Sequence, residues 1–285
     1  GNIQNIEDIH FELSQKAIDK GAEIVFWPET AFPVYLFSGS HAAEVNDINN
    51  FIRKNNTYLV TGMPDVRFYA SGDRKENGAV PPDAKYSKAG DYYYATYNAV
   101  FLLDPASHHI QKYGKMKLVP FGEKVPFVES IPFLGSLIKW GVGISGWNVG
   151  RDTINFTMPA SHFRSITQKD SLRINTLVCY ESIYPYFVAN FTQRGAEMIA
   201  VVTNDSWYGK LSGPYQHKEY AVLRAIENRR SVVRAANGGI SCIINPVGIT
   251  ETQSEMFVKT FVTGDVVLQR EKTFFTKYPL IIPVI

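Results

Sequence analysis

Cysteine is scarce in this sequence. Cys179 and Cys242 are the only two in 285 residues, too few for a disulfide framework and without the spacing of a metal-binding cluster. The six histidines are scattered, and the adjacent pair His108-His109 falls in a strand-like run where neighbours point to opposite faces. No metal site is expected from such a set. Charge of one sign is also lacking: the formal net charge is +2, and no basic run is interleaved with aromatics, so the electrostatic footprint of a nucleic-acid binder is missing. Long hydrophobic runs are absent too. None reaches the roughly 20 residues needed to span a bilayer, and the first residues hold no basic segment followed by an apolar one, so the sequence as written reads as soluble. The last eight residues, Tyr278 to Ile285, form an apolar edge that fits either a buried terminal strand or the point where a membrane helix was cut away.

What is present is core material. Apolar residues make up 45% of the chain and aromatics 13%, enough for one large domain spanning residues 1–285. Ile6, Ile9, Leu13, Ala17 and Ile18 recur near helical spacing, and Gly21 stops that helix before a strand from Glu23 to Trp27. Val45, Ile48, Phe51 and Ile52 repeat the pattern before a strand from Tyr58 to Met63. Further strands are expected at Tyr97 to Leu103, His109 to Tyr113, Arg173 to Cys179, Met198 to Thr203, Val232 to Ala236 and Ile240 to Asn245. Helices are expected from about Pro185 and over Tyr215 to Arg230, and Asn237-Gly238 signals a hairpin. Apolar strands alternating with amphipathic helices predict an α/β fold with sheets covered by helices.

Two stretches break this rhythm. Residues 65–91 carry several glycines, prolines and charges between two strand signals and read as a surface insertion. Residues 127–150 mix Phe133, Leu134, Trp140 and Trp147 with Gly135, Gly141, Gly143 and Gly146. That mixture suits a lid or an entrance for an apolar substrate, and equally a loop covering the core.

Three segments carry reactive side chains in a telling order. Phe26-Trp27-Pro28-Glu29-Thr30 ends a strand in a glutamate. Lys115-Met116-Lys117-Leu118-Val119-Pro120-Phe121-Gly122-Glu123 sets a lysine and an acid eight residues apart on a loop ruled by proline and glycine. Leu177-Val178-Cys179-Tyr180-Glu181-Ser182 ends a strand in a cysteine. Carboxyl ends of strands are where open α/β sheets place their ligand crevice, so these groups can converge. A thiol is largely protonated near neutrality and needs a base or a nearby cation to act as a nucleophile. Glu29 could supply the base and Lys115 the charge, which would also stabilise an oxyanion; no cofactor is required. Taken singly, each residue has a blander reading: a strand cysteine is most often a small buried hydrophobe, and a loop glutamate or lysine is most often solvated.

Together, Trp-Pro-Glu-Thr, Lys-x-x-Leu-Val-Pro-Phe-Gly-Glu and Val-Cys-Tyr-Glu resemble the nitrilase (carbon-nitrogen hydrolase) superfamily, and within it the apolipoprotein N-acyltransferase family. A fourth match is Asn204-Asp205-Ser206-Trp207-Tyr208-Gly209 followed by Gly213-Pro214-Tyr215-Gln216-His217. The resemblance spans roughly Glu7 to Val267. It implies an α-β-β-α sandwich with Glu29 as general base, Lys115 as oxyanion stabiliser and Cys179 as nucleophile. It further implies that Glu123 positions the lysine and the substrate, and that Tyr180 and Glu181 support the site, with the Tyr180 N–H completing the oxyanion hole. His217 reads as a structural contact at a helix start. The implied reaction moves an acyl chain from a phospholipid, through a cysteine thioester, to the α-amine of a diacylglyceryl-modified lipoprotein. It takes place at the bacterial inner membrane, with the catalytic domain on the extracytoplasmic side.

The sequence departs from the family at three points. Lys117 stands where many members carry histidine, and the 65–91 insertion is longer and more polar than usual. The membrane helices that surround this domain in the family, and a short strand before its first helix, are not in the sequence, so it reads as an excised domain or a shortened homologue. Two alternatives remain open at this stage: a soluble amidase using the same three residues on a small amide, and a non-catalytic domain that binds lipid or lipoprotein.

Overall fold

The fold is built from two mixed sheets packed face to face with helices outside, the expected α-β-β-α sandwich. A computed structural model describes residues 3–70, 72, 80–107, 109–120, 122–123, 146–166 and 169–281. Among them, α1 (Ile3–Ile18) leads into β1 (Ile24–Trp27), and α2 (Ala42–Asn55) into β2 (Tyr58–Ala70). Then come β3 (Lys85–Ser87), β4 (Tyr92–Leu103), β5 (Ile110–Gly114), β6 (Phe156–Pro159) and β7 (Ser171–Val178). The rest comprises α3 (Pro185–Gln193), β8 (Met198–Asn204), α4 (Gly213–Asn228), β9 (Val232–Asn237), β10 (Cys242–Ile244), β11 (Thr250–Gln253) and α5 (Phe274–Lys277).

The first sheet runs β1-β2-β4-β3, with β5 also on β4; only the β1–β2 pair is parallel. The second runs β11-β10-β9-β8-β7-β6, parallel from β7 through β9. β4 faces β7, and β2 faces β8, across the interface. Val60, Val100, Leu102, Leu177 and Val201 fill the layer between them. The outer face of the first sheet is covered by α1 and α2, where Trp27 donates to Ser14 Oγ at 2.8 Å and Phe11 stacks on Phe51. The helix α1 unwinds at Gly21, whose φ of 96° suits a residue without Cβ.

Most expected elements are found, with shifted ends. The difference lies in the 65–91 stretch: Asp65 to Ala70 simply continues β2 and pairs residue for residue with Tyr92 to Tyr97 of β4. Of the charges in that stretch, Asp65 and Arg67 belong to this arm of the sheet, with Asp65 paired to Lys112 at 2.9 Å. Three short strands, β3, β6 and β11, escape the sequence reading. Of the lid expected over 127–150, residues 127–145 lie outside the described residues. Among the described residues no helix is long and apolar enough to cross a membrane.

Candidate active site

Four strand ends meet at one place. Glu29 lies just past β1, Lys115 directly after β5, Cys179 directly after β7, and Asp205 directly after β8. Two of these segments carry left-handed backbone at non-glycine residues, Thr30 at φ 56° and Cys179 at φ 52°. Such conformations are uncommon outside glycine and cluster at functional sites.

The Lys115 ammonium is almost completely buried and sits between two carboxylates, 3.6 Å from Glu29 Oε1 and 2.8 Å from Glu123 Oε2. Burial alone would lower its pKa, but its electrostatic interactions with Glu29, Cys179 and Glu123 outweigh that and hold it above the ordinary lysine value. Lys115 is thus a fixed cation. Both of its carboxylate partners are themselves restrained. Glu29 accepts from Asn98 Nδ2 at 2.6 Å and from the Asn204 N–H at 2.8 Å. Glu123 accepts from the Val119 N–H at 2.8 Å, and the same Asn98 nitrogen lies 3.0 Å from its Oε1.

Cys179 is a free, buried thiol that opens a 3₁₀ turn, Cys179–Ile183. Burial pushes its pKa up to about 12; Glu29 adds to the rise, and Lys115 and a hydrogen bond with Thr203 oppose it. The resting group is therefore the protonated thiol. Cys242 lies elsewhere, buried in β10, and both cysteines are unbridged.

Glu181 is fully buried. Its Oε1 accepts from Tyr113 Oη at 2.8 Å and from the N–H groups of Met116 and Lys117 at 2.7 and 3.1 Å. Its Oε2 accepts from the Val178 N–H at 2.9 Å. One carboxylate therefore ties the lysine loop to the cysteine turn. Burial raises its pKa despite the donors from Val178 and Tyr113. Tyr180, half-buried, sets its ring edge-to-face against Tyr184 with centroids 5.6 Å apart.

The turn is gripped from α4 as well. His217 Nε2 lies 3.1 Å from the Cys179 carbonyl oxygen and 3.2 Å from Ser182 Oγ, while its Nδ1 lies 2.9 Å from Asp205 Oδ1. Arg224 donates to the carbonyls of Ser182 and Ile183. Asp205 also accepts from buried Arg234 at 2.6 Å. Its burial works to raise the carboxyl pKa, but His217 and Arg234 outweigh that and hold it below the ordinary value. His217 is therefore a structural contact at a helix start, and the carbonyl it reaches belongs to Cys179 itself.

All six residues singled out from the sequence lie at this site: Glu29, Lys115 and Cys179 share charge interactions, Glu123 and Glu181 fix the loops, and Tyr180 follows the thiol. Sequence reasoning missed Asn98 and Arg234. The available signal was a polar residue inside an otherwise apolar strand, a placement that is costly unless the group is hydrogen-bonded.

Chemically, the arrangement gathers a thiol, a restrained carboxylate and a buried lysine ammonium at neighbouring strand ends. A family model described as carbon-nitrogen hydrolase matches residues 2–274. An apolipoprotein N-acyltransferase from Chlorobaculum tepidum is 37% identical over 99% of this chain and 50% of its own length. Another from Geobacter metallireducens is 33% identical over 95% of this chain and 45% of its own. The chain thus spans about half the length of these curated relatives. Among solved structures, an amidase from Nesterenkonia sp. superposes with a TM-score of 0.56 at 16% identity, covering 90% of this chain and 81% of that one. At that identity the likeness establishes the fold alone.

Proposed function

This chain belongs to the carbon-nitrogen hydrolase family, and from that premise we propose that it is the catalytic domain of an N-acyltransferase that modifies lipoproteins. The observation that carries the reading is the placement of Glu29 and Lys115 charges on the Cys179 thiol, in a chain whose curated relatives bear that activity in their names.

In the proposed first half-reaction, the Cys179 thiol gives its proton to Glu29 as sulfur attacks an ester carbonyl of a phospholipid. The carbonyl oxygen takes the negative charge, stabilised by the Lys115 ammonium and the Tyr180 N–H. The intermediate collapses by breaking the C–O bond, and the lysophospholipid oxygen leaves with the proton held by Glu29. A thioester remains on Cys179. In the second half, the free α-amine of a diacylglyceryl-modified cysteine attacks that thioester and passes a proton to Glu29. The C–S bond breaks, the amide forms, and the proton returns to sulfur. One difficult transfer is divided into two easier ones. Because the resting thiol is protonated, proton removal accompanies attack rather than preceding it, which gives Glu29 its role as general base. Glu123 acts by holding Lys115. The working location is the extracytoplasmic face of a bacterial inner membrane.

Intact-protein mass spectrometry after incubation with phospholipid in detergent micelles tests this. The expected result is a gain of one acyl mass, removed by hydroxylamine and absent in Cys179→Ala. An equal gain in Cys179→Ala would remove the assignment of the nucleophile. Ammonia release from small amides with no acyl gain would make the protein an amide hydrolase instead.

A further inference from the structure

Lys117 takes no part in the mechanism above, yet its surroundings are unusual for a lysine. Its ammonium lies over three aromatic rings, 5.8 Å from the centroid of Tyr184, 5.8 Å from Tyr186 and 5.7 Å from Phe187. The residue is half-buried, and among the described residues no carboxylate pairs with the ammonium. Aromatic faces attract a cation through their quadrupole but leave its charge in place. Lys117 therefore presents an oriented, partly desolvated positive charge that no carboxylate among the described residues compensates. A carboxylate at this position would have neutralised it, as Glu29 and Glu123 do for Lys115.

Its location gives that charge a purpose. The Lys117 N–H donates to Glu181 Oε1, and the Met116 N–H shares that oxygen, so the same carboxylate that fixes the Cys179 turn fixes the base of this side chain. The three rings belong to the residues that directly follow the turn, and Tyr184 also contacts Tyr180. An anion bound at Lys117 would thus sit over the aromatic residues that follow the Cys179 turn, on a loop whose backbone the Glu181 staple joins to that turn.

We propose that Lys117 is a phosphate-recognising residue, which holds the phosphodiester of the acyl donor while the ester carbonyl, a few bonds away, meets Cys179. This rests on the acyl-transfer reading of the site. A lysine ammonium serves well as a point-charge binder of phosphate, and an anion arriving here gains a charge-assisted contact without displacing an existing partner. Discrimination between phosphate-bearing and neutral esters follows.

The test separates binding from chemistry. In the Cys179→Ala background, calorimetry measures binding of three probes: dihexanoyl-phosphatidylglycerol, dihexanoylglycerol and free glycerol 3-phosphate. The expected result is that Lys117→Met weakens the phospholipid about tenfold, that Lys117→Arg stays within about threefold of the parent, and that dihexanoylglycerol is unaffected by either. Lys117→Gln replaces Lys117→Met should the latter fail to fold. Equal loss for phospholipid and dihexanoylglycerol, or no loss for either, overturns the proposal. Free glycerol 3-phosphate binding as tightly as the lipid, with the same dependence on Lys117, overturns the assignment to a lipid headgroup in favour of a free phosphate ligand. If Lys117-dependent lipid binding is found while wild-type chain forms no thioester, the phosphate site stands and the acyl-transfer reading fails.

Discussion

Asn98 donates its side-chain amide to Glu29 Oε1 at 2.6 Å, joining a residue in the middle of an apolar strand to one just past the end of another. The same nitrogen lies 3.0 Å from Glu123 Oε1, so one amide serves both carboxylates that flank Lys115. Burial first, and then the Glu29 charge, raise the pKa of the Cys179 thiol, and Lys115 opposes that rise. Asn98 keeps the two carboxylates apart and oriented without adding charge.

Replacing Asn98 with leucine removes that donor and leaves both carboxylates to Lys115 and the backbone. A hydrogen bond to a charged group is worth about 1.5–3 kcal/mol, which corresponds to a roughly ten- to hundredfold fall in the single-turnover rate of Cys179 acylation. A rate within twofold of the parent would show that Glu29 is held well enough by the Asn204 N–H alone.

The strand ends that bear Glu29 and Cys179 were legible because each is an apolar run closed by a reactive side chain, and Lys115 because it opens a loop ruled by proline and glycine, all of them local patterns. The partners that hold them were not. Glu181 meets Tyr113, Met116 and Lys117 across 64 to 68 residues of sequence, and no local spacing encodes such a contact. Asn98 interrupts a run of small and apolar residues, but an isolated polar residue in a strand has many ordinary explanations. That Asp65 to Ala70 continue β2 was not legible for a different reason: strands without a buried face lack the apolar pattern by which strands are recognised. Short β6 and β11 have only four residues each, too few to establish a period.

Glu7 predicts how stability depends on pH. It is buried on α1 with both carboxylate oxygens unpartnered among the described residues. Burial, then the nearby charges of Asp47, Glu44 and Asp8, raise its pKa from 4.5 to about 7. A carboxyl with a higher pKa in the folded chain favours folding while it is protonated. That contribution is fully present below about pH 4.5, is lost as pH rises, and is gone above about pH 7. Glu7→Gln keeps the shape without the charge. Its melting temperature should therefore track the parent at pH 4.5 with a constant offset, then gain on it up to about pH 8, by the equivalent of about 1–3 kcal/mol. Melting curves that stay parallel across this range would show that Glu7 ionises as freely when folded as when unfolded.

Gly62 bears on the reacting centre from behind. It lies in β2, where a Cβ would stand 2.7 Å from Glu29 Cα and 2.9 Å from the Pro28 carbonyl oxygen, both backbone atoms. Its own carbonyl accepts from the Ala31 N–H at 2.8 Å, so the Glu29 segment rests directly on this strand. With Gly62→Ala the segment must move, and overpacking of this kind costs about 1–3 kcal/mol. The displacement falls on the residue whose oxygens are set by Asn98 and Asn204, so acylation should suffer more than stability. The expected result is a melting temperature lowered by roughly 2–10 °C and an acylation rate lowered about tenfold or more, since small misplacements of a reacting group are costly. Gly72→Ala, where a Cβ meets nothing within 4 Å, should change neither. If Gly62→Ala loses stability but acylates at the parent's rate, the position of the Glu29 backbone does not limit the chemistry.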